Sequence, residues 1–141
     1  MKVQAFEAAM ERVAQWMSPR DEVLVAYIFG SVATGRARPN SDIDIAVLVD
    51  STLIPGDLFD YRLRLMADLR NVLERPDVEV VLLNLAPPVL AQNVVSKGRL
   101  IFERSRSARI RFQIRTLNLF LDTQPMRDLH LKFLKRRYLK G

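Results

Sequence analysis

The sequence predicts an α/β (α+β) protein: a small mixed sheet flanked by helices, followed by a C-terminal helical tail. Two observations predict it. Segments with apolar residues at three- and four-residue steps alternate with short β-branched runs. The strands at 22–29 and 42–49 are also joined by too few residues for a full crossover helix, so they should be antiparallel neighbours or a mixed pair. The helices are expected on one face of the sheet.

Val3, Phe6, Met10, Val13 and Met17 define an amphipathic helix over 3–17, ended by Ser18-Pro19. Residues 22–29, with Val23, Val25, Tyr27, Ile28 and Phe29, form a buried strand. Gly30-Ser31 is a turn, and Ser31 is a good N-cap for a short segment at 32–37. A second turn at 38–41 leads into a strand over 42–49. Leu58, Leu65, Leu69 and Val72 mark a helix at 58–73, with Asp57 complementing its dipole, and Arg75-Pro76-Asp77 breaks it. A third strand covers 78–83. A helix follows at 84–97, with Pro87-Pro88 in its first turn and Gly98 just past its end. Residues 100–102 add a short edge strand. Ile110, Ile114, Leu117 and Leu121 share one helical face, read first as core and second as a docking face with Phe120, Phe133 and Tyr138. Pro125 breaks that helix, and a last one runs over 126–138.

The 141 residues are 49% hydrophobic and 27% charged, which favours a folded globular chain. They divide into a domain at 1–103 and a basic helical extension at 104–141 packed on it. No cysteine is present, which excludes a disulfide framework, thiolate metal sites and a cysteine nucleophile. The first residues lack a signal-peptide apolar core and no run is long enough to span a bilayer, so the expected location is cytoplasmic, with no membrane partner. Residues 1–98 hold 10 Lys/Arg and 13 Asp/Glu, whereas residues 99–141 hold 12 and 3. An acidic front and a basic tail suggest a metal site ahead of a surface for an acidic partner, although arginines solvating a helix read equally well.

The chemistry concentrates at Gly30-Ser31 and at Ser41-Asp42-Ile43-Asp44. Residues two apart on a strand share a face, so Asp42 and Asp44 should project together while Ile43 and Ile45 enter the core. Two like charges on one face call for a cation, and hard oxygen ligands select Mg²⁺ or Mn²⁺ rather than zinc. An Asp-x-Asp alone fits an exposed edge strand as well. Gly30-Ser31 adds a turn that lets phosphate oxygens approach backbone N–H groups, with Gly35 as a second close turn and Ser41 beside the carboxylates. No P-loop pattern is present. Glu79, in the apolar strand at 78–83, is the candidate third carboxylate. Together these residues suit two Mg²⁺ ions holding a nucleoside triphosphate: Asp42 and Asp44 hold both ions, while Glu79 holds one and takes a proton from an attacking hydroxyl.

Gly30-Ser31, ten intervening positions and then Asp42-x-Asp44 resemble the signature of the polymerase-beta-like nucleotidyltransferases, and within them the minimal nucleotidyltransferase (MNT) antitoxins of HEPN–MNT toxin–antitoxin pairs. The resemblance extends through 75–81, 84–90 and 98–103. It implies the polymerase-beta type of sheet. It also implies ATP as substrate, and transfer of AMP to a hydroxyl, a tyrosine foremost, of a HEPN ribonuclease toxin that is thereby neutralised. It leaves open a homo-oligomer or a hetero-oligomer with the toxin. Members usually carry Asp where Glu79 stands. HEPN ribonucleases resemble one another in an Arg and a His with four to six residues between them; the matching positions ahead of His130, residues 123–125, are Thr, Gln and Pro, so the chain reads as antidote and His130 as structural or surface.

The alternatives are a nucleotidyltransferase with a small-molecule acceptor, an inactive antitoxin that masks its toxin, and a nucleic-acid binder. The tail leaves little room for a separate acceptor domain, which disfavours the first. Intact Asp42 and Asp44 disfavour the second. The tail interleaves few aromatics with its basic residues, which disfavours nucleic acid as a partner.

Overall fold

A computed structural model describes residues 3–30 and 42–139. In chain order it contains α1 (Val3–Met17), β1 (Val23–Phe29), β2 (Ile43–Val49), a 3₁₀ turn at Ser51–Leu53, α2 (Leu58–Leu73), β3 (Val78–Leu82), α3 (Pro88–Lys97), β4 (Arg99–Glu103) and α4 (Arg106–Leu139). The four strands form one mixed sheet in the order β3-β2-β1-β4. β1 is antiparallel to β2 and to β4, and β3 is parallel to β2. The expected antiparallel pairing of the first two strands is therefore found. The segment at 32–37 and the turn at 38–41 lie outside the described residues.

Helices cover both faces of the sheet, not one. Met10, Val13 and Met17 of α1 and Leu65, Leu69 and Leu73 of α2 pack on Ile28, Ile43, Ile45, Val47 and Val80. On the other face Ala91 and Val94 of α3 and Phe112 of α4 pack on Val25, Tyr27, Ala46 and Leu48. The reason lies in the strands themselves. β1 (VLVAYIF) and β2 (IDIAVLV) are almost continuously apolar, and such runs need cover on both sides.

Local chemistry sets several boundaries. Asp57 caps α2, its carboxylate accepting from the Phe59 N–H at 2.9 Å. α3 begins at Pro88, not at residue 84, because a residue before proline is disfavoured in helical geometry. The freed Asn84 extends the ladder instead: its side chain accepts from Val49 N at 2.9 Å and donates to Val49 O at 2.8 Å. β3 has an open edge, and α2 covers it. Arg62 Nε donates to Val80 O at 2.6 Å and Arg70 Nε to Val78 O at 3.0 Å, which satisfies carbonyls that face no strand.

α4 departs most from expectation. It continues through Pro125 as one helix of 34 residues, about 51 Å long at 1.5 Å per residue. Thr123 Oγ1 (3.1 Å) and Arg127 Nη2 (3.0 Å) both donate to Phe120 O, adding bonds in the turn that proline weakens. Phe112 and Thr116 face the body, and Gln113 donates to the Tyr27 hydroxyl at 3.2 Å. Ile110, Ile114, Leu117 and Leu121, read first as core, are exposed. Farther along, Met126, Leu129 and the exposed His130 line an apolar groove with Pro88 and Val89. The side chains of Phe133 and Tyr138 lie outside the described ones.

Arg104 ties the front of the chain to the back. Its guanidinium donates to the carbonyls of Val23 (2.8 Å), Met17 (3.0 Å), Ser18 (2.7 Å) and Arg20 (3.0 Å), closing the loop between α1 and β1. Arg104→Ala removes all four bonds at once, leaving Met17 O and Arg20 O only their backbone donors Arg20 N and Val23 N, and urea unfolding should register a loss of about 2–3 kcal/mol.

Candidate active site

The site residues gather where β1 ends and β2 begins. Ile43 and Ile45 are fully buried on the α1–α2 face, so Asp44 between them points to the opposite face, as strand alternation requires. Asp44 pairs in register with Phe29 of β1 on one side and with Glu79 of β3 on the other. Register partners share a face, so Glu79 projects beside Asp44. Asp42 is exposed, one residue ahead of β2. Its neighbourhood is fixed by the Ile43 N–H, which donates to Asp77 O at 2.9 Å, and by the ion pair of Arg75 with the Asp77 carboxylate.

Gly30 directly follows β1 and has a φ of +82°. A Cβ built there would lie 2.7 Å from Asp44 Oδ2. Glycine is therefore needed twice over, once for the left-handed backbone and once to make room for the Asp44 carboxylate. The sequence reading assigned Gly30 to phosphate approach and missed this second requirement, which only the β1–β2 register creates. Ser31, Gly35 and Ser41 lie outside the described residues.

Burial, followed by the charges of Asp42 and Glu79, pushes the Asp44 carboxyl above its usual range. Asp42 and Glu79 thus both act on Asp44 at this end of the sheet. Among the described residues the three do not form a ready three-ligand metal cluster. Glu79 is turned to the sheet edge, where its Oε1 lies 3.4 Å from Arg70 Nη2. The chemistry of these donors nevertheless fits a hard divalent cation: the three side chains at this end of the sheet are carboxylates, Asp42 and Glu79 both raise the Asp44 carboxyl, and Gly30 leaves room for Asp44 Oδ2. Asp42, Asp44 and Glu79 are the residues that could hold it. Arg70 was not singled out from the sequence, and no spacing marks it. A cleft of about 280 Å³ lined by Trp16, Glu22 and Tyr61 lies at the opposite end of β1, away from this chemistry.

Residues 11–107 match the family model described as polymerase beta, nucleotidyltransferase. The chain belongs to this nucleotidyltransferase family. Among individual proteins it is 33% identical over 102 residues to the protein adenylyltransferase MntA of Shewanella oneidensis, covering 72% of this chain and 69% of the relative. A crystal structure of a toxin–antitoxin with AMP-PNP superposes with a TM-score of 0.74 at 27% identity, over 89% of this chain and 97% of that chain. A crystal structure of the toxin–antitoxin MntA–HepT does so with a TM-score of 0.70 at 25% identity, over 91% and 97%.

Gly30→Ala should cost at least about 1–2 kcal/mol from the backbone alone, with the collision against Asp44 added. Asp44→Ala removes that collision, so the double variant measured by urea unfolding should lose less than the two single variants combined. The Asp44 proton is held more tightly by the folded than by the unfolded chain, so this group's contribution to stability falls as pH rises above the ordinary carboxylate range. Without divalent ions, Asp44→Asn should therefore melt above the wild type near about pH 7, and the gap should close below about pH 4.

Proposed function

We propose that the chain is an Mg²⁺-dependent protein adenylyltransferase and an antitoxin, transferring AMP from ATP to a tyrosine hydroxyl of a cognate HEPN ribonuclease toxin in the cytoplasm. The observation that carries this reading is the β2–β3 register, which makes Asp44 and Glu79 partners on one face directly beyond Gly30. Similarity to a protein adenylyltransferase and to toxin–antitoxin structures supports the acceptor class.

The transfer balances simply. The acceptor oxygen forms a bond to the α-phosphorus of ATP, the bond from that phosphorus to the bridging oxygen breaks, and pyrophosphate leaves. The hydroxyl proton passes to the Glu79 carboxylate, which is half exposed and therefore within reach of an acceptor from outside. Asp42, Asp44 and Glu79 would hold the Mg²⁺, and Gly30, Ser31, Gly35 and Ser41 would receive the nucleotide. Bound there, the ion would supply positive charge against the triphosphate and lower the pKa of the attacking hydroxyl. Asp44 is rigid, set in a strand bonded on both sides, whereas Glu79 keeps freedom at the edge. Rigid placement of one carboxylate suits orientation, and freedom of the other suits proton transfer. The exposed apolar residues of α4 offer surface for a protein acceptor, which a small-molecule acceptor would not use. Among the described residues no helix is long and apolar enough to cross a membrane.

Incubation with ATP labelled at the α-phosphate and the purified HEPN toxin tests this reading. The wild-type chain should label the toxin, and mass spectrometry should find AMP on it. Asp42→Asn combined with Asp44→Asn should abolish labelling while the variant stays folded; AMP on the toxin with that variant means that the site is assigned wrongly. Glu79→Gln should slow transfer by about 10²-fold or more with a smaller effect on ATP binding, and unchanged turnover removes Glu79 from the mechanism.

A further inference from the structure

Glu79 has two claimants. By register it belongs beside Asp44, on the face opposite α2. Its carboxylate nevertheless lies at the open edge of β3, 3.4 Å from Arg70 Nη2. Arg70 comes from α2 and reaches that edge because its Nε is anchored on Val78 O at 3.0 Å, with Met66 Sδ 3.6 Å from Nη2. The anchoring bond belongs to the fold, since it covers a strand carbonyl that has no strand neighbour. The contact to Glu79 does not, because both side chains are substantially exposed, at 36% and 48%, and such a pair is easily exchanged. Glu79 is also one methylene, roughly 1.5 Å, longer than an aspartate at the same position, and that length lets it reach around the edge.

We propose that Arg70 is a positioning residue that holds the Glu79 carboxylate at the sheet edge and competes with a divalent cation for it. The proposal rests on the metal site described under the proposed function and deepens it. A cation entering beside Asp44 must draw Glu79 off the guanidinium. Arg70 therefore weakens cation binding in the unliganded chain and keeps the third carboxylate away from Asp44, whose charge it would otherwise oppose at close range. When Glu79 turns inward, Arg70 keeps its bond to Val78 O, so the exchange leaves the edge of β3 covered. Arg62, bonded in the same way to Val80 O at 2.6 Å, provides an internal comparison. It covers the same edge and carries the same charge, and among the described residues it makes no hydrogen bond or ion pair with Glu79.

The test is a titration of the chain with Mn²⁺, reading the free ion by electron paramagnetic resonance with no nucleotide present. Arg70→Ala and Arg70→Gln should each bind Mn²⁺ about two- to fivefold more tightly than the wild type, the range set by the worth of an exposed ion pair. Glutamine keeps a donor for Val78 O, so it separates the Glu79 contact from any loss of fold. Arg62→Ala should leave the affinity unchanged. In a Glu79→Gln background, Arg70→Ala should lose most of its effect, because the pairing is gone while the charge change remains. Unchanged or weaker binding in both Arg70 variants, equal tightening in Arg62→Ala, or an undiminished effect in the Glu79→Gln background overturns the proposal. Wild-type uptake that disappears in Asp44→Asn supports the site independently of Arg70. A wild-type chain that takes up no Mn²⁺ overturns the site and the role of Arg70 together.

Discussion

Strand β2 is hydrogen-bonded on both sides and buried on both faces, and this confinement governs what surrounds it. A central strand with no free edge cannot slip by one residue without turning every side chain to the wrong face. Ile43, Ile45 and Val47 are locked into one core, Ala46 and Leu48 into the other. Asp44 is the one charged side chain in the strand. It is tolerated because it sits at the strand's beginning, where the neighbouring residue on β1 gives way to Gly30 and leaves space for a carboxylate. The position of this carboxylate is thus a by-product of apolar packing elsewhere along the same seven residues.

That placement carries an electrostatic cost. Asp44 is partly removed from water and feels Asp42 and Glu79, and both effects raise its carboxyl. The protein disperses the strain at the margins. Arg75 holds Asp77 next to Asp42 and depresses the Asp77 carboxyl, and Arg70 takes Glu79 at the edge. These arginines have structural roles as well. Arg70 covers a strand carbonyl, and the residue that Arg75 holds supplies the carbonyl that starts β2. Such half-exposed ion pairs exchange at little cost.

α4 poses a different question. Its first turns belong to the core through Phe112 and Thr116, whereas much of the rest carries exposed apolar side chains. Over its length it has nine Lys/Arg and two Asp/Glu. A helix about 51 Å long exceeds what a sheet of five- to seven-residue strands can cover, so much of it is left for contact with something other than this body. A surface that is apolar and basic at once suits contact with another protein better than with a small molecule.

Much of this was legible in the chain itself. The strand and helix types, the antiparallel first pair and the Gly30, Asp42, Asp44 and Glu79 constellation follow from local patterns: β-branched runs, turn residues and carboxylates two apart. Gly30-Ser31 with Asp42-x-Asp44 also pointed to the nucleotidyltransferase family. Other features depend on pairs of residues far apart in sequence. Cover on both faces of the sheet follows from how four helices share two faces, a competition that no single segment records. The reading of Ile110, Ile114, Leu117 and Leu121 as core failed because periodicity identifies an apolar stripe without saying what it meets; Phe112 and Thr116 meet the sheet instead. Pro125 does not end the helix, and in that turn the Thr123 and Arg127 side chains add bonds to Phe120 O that the local sequence does not announce. The seat of Asp44 against Gly30 and the hold of Arg70 on Glu79 depend on register and on a sheet edge. Both are properties of strands brought side by side, so only the tertiary structure could decide them.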